Sequence, residues 1–105
     1  LRDDASVLDL AALLHPTAAV AGTPTVEAQK LISELEPFDR GRYAGPVGWI
    51  GADGDGEWAI ALRGALLSEN QITAYAGCGI VAESDADAEL DETELKFKPI
   101  REALA

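Results

Sequence analysis

The chain has 105 residues, with 19 Asp or Glu against 8 Lys or Arg and a formal net charge of −11. This length suits one small domain, and the charge excludes nucleic acid and anionic membrane surfaces, which are bound through basic patches. A single cysteine, Cys78, excludes an internal disulfide and is typical of a reducing compartment. We predict no membrane span, because no run of about 20 apolar residues occurs.

The first residues do not resemble a signal peptide, so we expect a cytoplasmic location. The chain does not begin with Met and contains none, so we expect it to be a piece of a larger protein.

Two helices are predicted in the first third of the chain, over 6–14 and from 24 to about 35. His15-Pro16 ends the first, because proline disfavours helix at the residue before it. Residues 17–22 are small and are predicted to form a loop. Thr23 is expected to be the N-cap of the second helix, with Pro24 at its first position.

Three strands are predicted next, over 43–52, 57–67 and 71–81. The sequence Asp-Gly-Asp-Gly at 53–56 predicts a hairpin turn, and Glu69-Asn70 predicts a second tight turn. Sequential strands joined by short turns form an antiparallel meander. With helices packed on one side of this sheet, the predicted fold class is α+β.

Arg63 lies in the second predicted strand among small residues. Pointing inward, it would have room for a bidentate carboxylate partner. Pointing outward, it would be an ordinary charge on the solvated face. The alternation of the strand leaves both interpretations open.

A third helix is predicted from Ser84, as N-cap, through Lys96. Glu89, Glu92 and Lys96 are spaced to share one helical face, which could hold a divalent cation beside an anion. The same spacing is also typical of a solvated charged face. A second, mostly apolar stripe is expected to face a core, and Pro99 is expected to kink or end the helix. The members of that stripe are Ala86, Leu90, Thr93, Phe97, Ile100 and Leu104.

Several motifs in register resemble the C-terminal part of the chorismate-utilising enzymes, and most of all isochorismate synthase. They extend from about Leu8 to Lys96, and Cys78 stands where the family usually has Ala. The motifs are HPTxAVxGTP from His15, FDRGxYAGPVGW from Phe38, ALR from Ala61, AGCGIV from Ala76 and ExxETxxxK from Glu89. The fold implied is a C-terminal portion of the chorismate-binding fold of anthranilate synthase large subunits, so residues 1–105 are expected to be part of one such domain.

The resemblance also implies roles for individual residues. Glu92 would bind Mg²⁺ directly and Glu89 would support the metal through water. The substrate, chorismate, would be bound by His15 near its ring, Tyr43 near its pyruvyl group, the cations Arg63 and Lys96, and the backbone at Gly77 and Gly79. A dianionic substrate needs such cations and a metal within an acidic protein.

The activity implied is Mg²⁺-dependent isomerisation of chorismate to isochorismate, as in siderophore, menaquinone or salicylate biosynthesis. Salicylate synthase or another chorismate-utilising enzyme is the alternative within the class. The base Lys and acid Glu of that chemistry are expected upstream, so no catalytic residue is assigned within this chain and the chain alone is expected to be inactive.

The expected partners are chorismate and the missing N-terminal part of the same enzyme, with possible self-association through exposed sheet edges. A different class of function stays open, that of a stand-alone acidic binding module. A coding frame that begins far upstream of Leu1 would exclude this module.

Overall fold

The structure is a computed structural model that describes residues 5–105. Two compact units divide the chain, Leu1–Ala61 and Leu62–Ala105. Helices and antiparallel strands are both present, which confirms the predicted α+β class. No helix in the described residues is long and apolar enough to cross a membrane. The elements are α1 (Val7–Leu14), α2 (Ala18–Ala21), α3 (Thr25–Leu35), β1 (Pro46–Ile50), β2 (Gly56–Ile60), β3 (Ala65–Ser68), β4 (Gln71–Ala74) and α4 (Ala86–Leu104).

The helices of the first unit begin close to the predicted positions. Ser6 caps α1, and its hydroxyl accepts from the Asp9 N–H at 3.1 Å while the Asp9 carboxylate accepts from the Ser6 N–H at 2.9 Å. This reciprocal capping box satisfies two N–H groups that a helix start leaves without partners. Pro24, not Thr23, is the N-cap of α3. Residues 18–21, predicted as a loop, form the single turn of helix α2.

Strands β1 and β2 form an antiparallel hairpin closed by the predicted Asp-Gly turn, with Gly48 directly opposite Trp58. A Cβ on Gly48 would lie 2.6 Å from Cδ2 of the Trp58 ring. Only a glycine therefore leaves room for this ring to lie across the neighbouring strand. Helix α1 packs on the same hairpin, where a Cβ on Gly56 would lie 2.9 Å from a methyl carbon of Val7.

Gly48→Ala is expected to destabilise this hairpin by about 1–3 kcal/mol, because the added methyl group overlaps the Trp58 ring and the facing backbone. Urea unfolding followed by tryptophan fluorescence measures the change. Gly54→Ser in the turn is not a suitable comparison, since Gly54 has a φ of 89°. Gly64→Ala is the matched control, because a Cβ there meets no described atom within 4 Å. Equal stability of the two variants would contradict the packing of Trp58 on Gly48.

The strands are shorter than predicted and pair differently. The expected second strand, 57–67, is interrupted at Arg63, which has a φ of 57° that a strand cannot accommodate. Its continuation is β3, which pairs antiparallel with β4. The described strands thus form two hairpins instead of one continuous meander. The first and third predicted strands, 43–52 and 71–81, are trimmed to β1 and β4.

Helix α4 continues through Pro99 to Leu104, so the alternative that proline ends this helix is wrong. Arg101 reaches back across the proline: its guanidinium donates to Glu94 at 2.6 Å and lies 5.6 Å from the centre of the Phe97 ring. These contacts connect the turns on both sides of Pro99, where proline removes one backbone hydrogen bond.

Few side chains are fully buried. Among the described residues, the buried apolar ones are Ala21 and Ala44. Large apolar side chains remain exposed on several elements, among them Leu13 on α1, Trp49 on β1 and Leu67 on β3.

Candidate functional site

The start of helix α4 differs by one residue from the prediction. Asp85 is the N-cap, and its carboxylate accepts from the Ala88 N–H at 3.0 Å. The Ser84 hydroxyl oxygen instead accepts from the Val81 N–H at 3.1 Å. A carboxylate suits the positive end of the helix dipole, so Ser84 is left for contacts with the segment before the helix.

Glu89, Thr93 and Lys96 share the half-buried face of α4, and Glu92 beside them is exposed. The predicted apolar stripe is only partly inside, because Leu90 is 60% exposed and Leu104 is 58% exposed. The prediction that this stripe faces a core is therefore wrong for both leucines. The charged face itself packs on the irregular segment 75–84, so it is not simply a solvated surface.

Lys96 is the cation at the centre of this face. Its Nζ donates to the Gly77 carbonyl oxygen at 2.7 Å and lies 2.5 Å from Oε1 of Glu92. The side chain is 20% exposed. An ammonium group has three N–H donors, so two contacts leave one donor for an anionic ligand.

Glu89 is held ionised by its neighbours. The Ser84 hydroxyl and, secondarily, the Cys78 thiol lower the pKa of this carboxyl, and the charge of Lys96 acts in the same direction. Donors to a carboxylate stabilise its charged form. Glu89 therefore presents an anionic oxygen at neutral pH.

The donor set of this face suits a hard divalent cation. Glu89 and Glu92 are carboxylates three residues apart on one helix, and Mg²⁺ in proteins takes one or two carboxylates and keeps several waters. Within residues 5–105, no group of three or more His, Cys, Asp or Glu side chains is placed to hold a metal. A cation bound here would thus depend on water and other oxygen ligands as well.

The backbone at Gly77 and Gly79 lies in the segment that faces Lys96. The carbonyl of Gly77 is already engaged by that ammonium. A Cβ on Gly79 would meet no described atom within 4 Å. The space beside Gly79 is therefore open to a ligand.

Arg63 does not lie in a strand, so neither the inward nor the outward orientation that strand alternation left open applies to it. It is exposed, and in the described part of the chain its guanidinium has no hydrogen bond or ion pair. A residue other than glycine with a φ of 57° carries backbone strain of roughly 1 kcal/mol. Such strain without a compensating contact is typical of a functional position.

His15 and Tyr43, both in the first unit, line one cleft of about 310 Å³. Arg40 forms part of its wall and holds the surrounding turns together. Its guanidinium donates to both carboxylate oxygens of Glu36, at 2.8 and 2.5 Å, and to the Val20 carbonyl at 3.0 Å. It also lies 5.8 Å from the centre of the Tyr43 ring.

Glu36→Gln is expected to lower stability by about 1 kcal/mol at pH 7 through loss of this pair. Arg40 lowers the pKa of the Glu36 carboxyl below its ordinary value of 4.5. The contribution is therefore complete above about pH 4.5 and disappears as the pH falls through the lowered pKa of the folded state. Thermal unfolding of both proteins from pH 7 to pH 3 should show the difference shrinking with acid.

The matched control for this prediction is Glu34→Gln, because Glu34 pairs with Lys30 at 3.9 Å with both side chains exposed. That variant should unfold like the wild type at every pH. A difference for Glu36→Gln that does not change with pH would contradict an ionic origin.

Sequence reasoning missed three contributors to these sites. Ser84 was predicted as a helix cap, and neither Cys78 nor Arg40 was assigned a role in a site. The spacing of Glu36 and Arg40, four residues apart, is a signal that could have identified their pair. Nothing in the local sequence shows that Cys78 accepts a hydrogen bond from Thr93, because that contact depends on how segment 75–84 folds back on α4.

The first unit of this α+β chain thus has a cleft lined by His15 and Tyr43. The second unit has a helix face that carries two carboxylates and an ammonium group. The family described as chorismate binding enzyme matches residues 1–105. The chain belongs to this family, which confirms the resemblance seen in the motifs.

Similar proteins include several isochorismate synthases. MenF of Bacillus subtilis is 45% identical over 104 residues, which is 99% of this chain and 22% of that protein. EntC of Escherichia coli is 48% identical over 92 residues, which is 88% of this chain and 24% of that protein. The crystal structure of the putative 2,3-dihydroxybenzoate-specific isochorismate synthase DhbC from Bacillus anthracis matches with a TM-score of 0.93 and 48% identity, over 96% of this chain and 27% of that one.

The chain therefore spans about a quarter of the length of the curated relatives it matches. The match to DhbC also confirms the expected chorismate-binding fold.

Proposed function

We propose that this chain supplies part of the active site of an enzyme that isomerises chorismate to isochorismate with Mg²⁺. The observation that carries the proposal is the α4 face, where Glu89 and Glu92 lie beside the ammonium of Lys96. The names of the similar isochorismate synthases support it. The salicylate-biosynthesis isochorismate synthase of Pseudomonas aeruginosa, 44% identical over 105 residues, is also among them.

Charge explains why such a face suits this substrate. Two carboxylates and one ammonium carry a formal charge of −1, and a divalent cation changes it to +1. The cation would be held by Glu92 directly and by Glu89 in support, and it would polarise a substrate carboxylate. An acidic chain with a net charge of −11 could thereby bind a dianion at this one place.

The remaining residues bind and orient the substrate. Lys96 uses its third donor, and Arg63 its guanidinium, to hold substrate carboxylates. Backbone at Gly77 and Gly79 approaches a carboxylate closely, because no side chain intervenes at either residue. By resemblance, Tyr43 is assigned to the surroundings of the pyruvyl group and His15 to those of the ring. The general base and general acid are assigned to the part of the enzyme outside this chain.

Exposed apolar surface supports the proposal that the chain acts within a larger domain. Only small side chains are buried among the described residues, whereas Leu90 and Leu104 on α4 and Trp49 on β1 are more than half exposed. A stand-alone binding module would need a core that these residues do not form. The remainder of the chorismate-binding domain is the partner proposed to cover them, and it would also pair with the open hairpin edges.

A chimera tests this function. The chain replaces the matching segment of Bacillus subtilis DhbC, with which it is 48% identical over 99 residues. We expect the chimera, incubated with chorismate and Mg²⁺, to form isochorismate that is detected by chromatography. DhbC with its own segment is the control, and the isolated chain should form no product.

Three outcomes decide between the alternatives. A chimera that unfolds cooperatively like DhbC yet forms no product would overturn the proposal. Salicylate and pyruvate as products would indicate a salicylate synthase. Product from the isolated chain would show that the base and the acid lie within these residues.

A further inference from the structure

Arg40 connects three pieces of the chain around the cleft of His15 and Tyr43. Its guanidinium donates to both carboxylate oxygens of Glu36, which caps the end of α3, and to the Val20 carbonyl oxygen on α2. The same group lies 5.8 Å from the centre of the Tyr43 ring. Because all of these residues belong to the first unit, one side chain joins α2, α3 and the turn that carries Tyr43.

Tyr43 is held through its backbone as well as through its ring. Its N–H donates to the Arg40 carbonyl oxygen at 2.8 Å, which closes a tight turn between the two residues. Ala44, which follows, is 6% exposed and has a φ of 63°, a left-handed conformation that few residues other than glycine adopt. A cation within about 6 Å of an aromatic ring is attracted to its face. The turn therefore sets where the Tyr43 side chain leaves the backbone, and Arg40 restricts where its ring lies.

The charge of Arg40 is neutralised within the wall of the cleft. The guanidinium and the Glu36 carboxylate form a two-point ion pair, in which the side chains are 28% and 27% exposed. The Val20 carbonyl takes a third of the five N–H donors of this group. A guanidinium engaged in this way offers no net charge to an anion, and its planar fork fixes the groups that it joins.

We propose that Arg40 is a positioning residue, which holds the Tyr43 ring in a fixed place relative to the segment of His15 and so preforms the cleft for chorismate. This role rests on the proposed function, because it takes the cleft as the part of the site that receives the ring and the pyruvyl group. The Val20 carbonyl is the connection to His15, since α2 begins three residues after that histidine. A preformed cleft lowers the cost of ordering side chains when a ligand binds.

The test uses the chimera with DhbC described above. The KM for chorismate is measured from isochorismate formation with Mg²⁺, and the Kd of chorismate by titration calorimetry without Mg²⁺, where no turnover is expected. Arg40→Gln is expected to raise both about tenfold, because the walls of the cleft are then displaced. The kcat should change less than about threefold, since the residue does not touch the reacting atoms. Arg42→Gln, at an exposed position in the same turn, is the matched control and should change none of these quantities.

Glu36→Gln distinguishes positioning from direct binding of the substrate by Arg40. Positioning predicts that this substitution raises KM about twofold to threefold, because Arg40 keeps Val20 and Tyr43 but loses its charged partner. If Arg40 bound the substrate, the same change would free its charge and lower KM for a dianion. A lowered KM would therefore overturn the inference, as would recovery of the wild-type KM in Arg40→Lys, which keeps the charge without the planar fork.

A double-mutant cycle tests whether the effect passes through Tyr43. In the Tyr43→Leu background, Arg40→Gln should raise KM less than it does in the wild type, because the ring that it positions is already absent. Independent effects of the two substitutions, or a fall in melting temperature with unchanged KM and Kd, would show a structural role only and overturn the inference.

The same measurements distinguish this inference from the proposed function. Chorismate affinity that depends on Arg40 in a chimera without turnover would contradict the proposed function and leave the positioning role standing. Turnover with a KM that does not respond to Arg40→Gln would contradict the positioning role alone. A wild-type chimera with neither binding nor turnover would overturn both.

Discussion

Glu92→Gln in the chimera is expected to lower the rate of Mg²⁺-dependent isochorismate formation by at least about a hundredfold. The substitution keeps the size of the side chain and removes the anionic oxygen proposed to bind the cation directly. It also releases Lys96 from its contact at 2.5 Å. The rate of isochorismate formation at increasing Mg²⁺ concentrations measures the loss, which added Mg²⁺ should recover only in part.

The fold should tolerate this substitution. The Glu92 side chain is 56% exposed, and a surface ion pair of this kind contributes less than about 1 kcal/mol. Glu102→Gln is the matched control, because Glu102 also pairs four residues along α4, with Lys98 at 3.7 Å. It should retain full activity. Wild-type activity in Glu92→Gln would remove Glu92 from the site.

Arg63→Ala is expected to raise the KM for chorismate about tenfold to a hundredfold, because a charge-assisted hydrogen bond to a carboxylate is lost. The structure adds a second expectation. Since Arg63 has a φ of 57° and no described partner, Arg63→Gly should raise KM equally while stabilising the fold by up to roughly 1 kcal/mol. Steady-state kinetics and thermal unfolding of the chimera measure the two effects.

Arg63→Gly separates substrate binding from folding, because it should raise KM while it stabilises the fold. Arg42→Ala, at an exposed position before β1, is the control for removing a positive charge and should change neither quantity. An unchanged KM in both Arg63 variants would place Arg63 on the solvated surface.

Local sequence signals predicted the parts of the fold that local forces determine. The helix of residues 6–14, the Asp-Gly turn and the Glu69-Asn70 turn all occur as expected. Errors arose at two single residues. A proline disfavours a helix without always ending it, and α4 continues through Pro99. The expected second strand is interrupted because Arg63 adopts a left-handed conformation, which strand alternation does not signal.

The candidate site shows the same division. Helical spacing placed Glu89, Glu92 and Lys96 on one face of α4 and Thr93 on the other stripe. In the structure Thr93 is half-buried together with Glu89 and Lys96, whereas Glu92 is exposed. A stripe of polar side chains on a helix is normally exposed to solvent. Here segment 75–84 supplies hydrogen-bond acceptors to Thr93 and Lys96. The cleft shared by His15 and Tyr43 likewise depends on residues distant in sequence. The specific roles of the eight site residues stay predictions.

The shallow burial of this chain has a thermodynamic consequence. The heat-capacity change and the denaturant dependence of unfolding both scale with the apolar surface that unfolding exposes. With Ala21 and Ala44 as the buried apolar residues of its described part, the isolated chain should unfold over a broad temperature range with a small heat-capacity change. Joined to the rest of an enzyme, the same residues should gain a sharp transition, so cooperativity itself becomes a property of the whole domain.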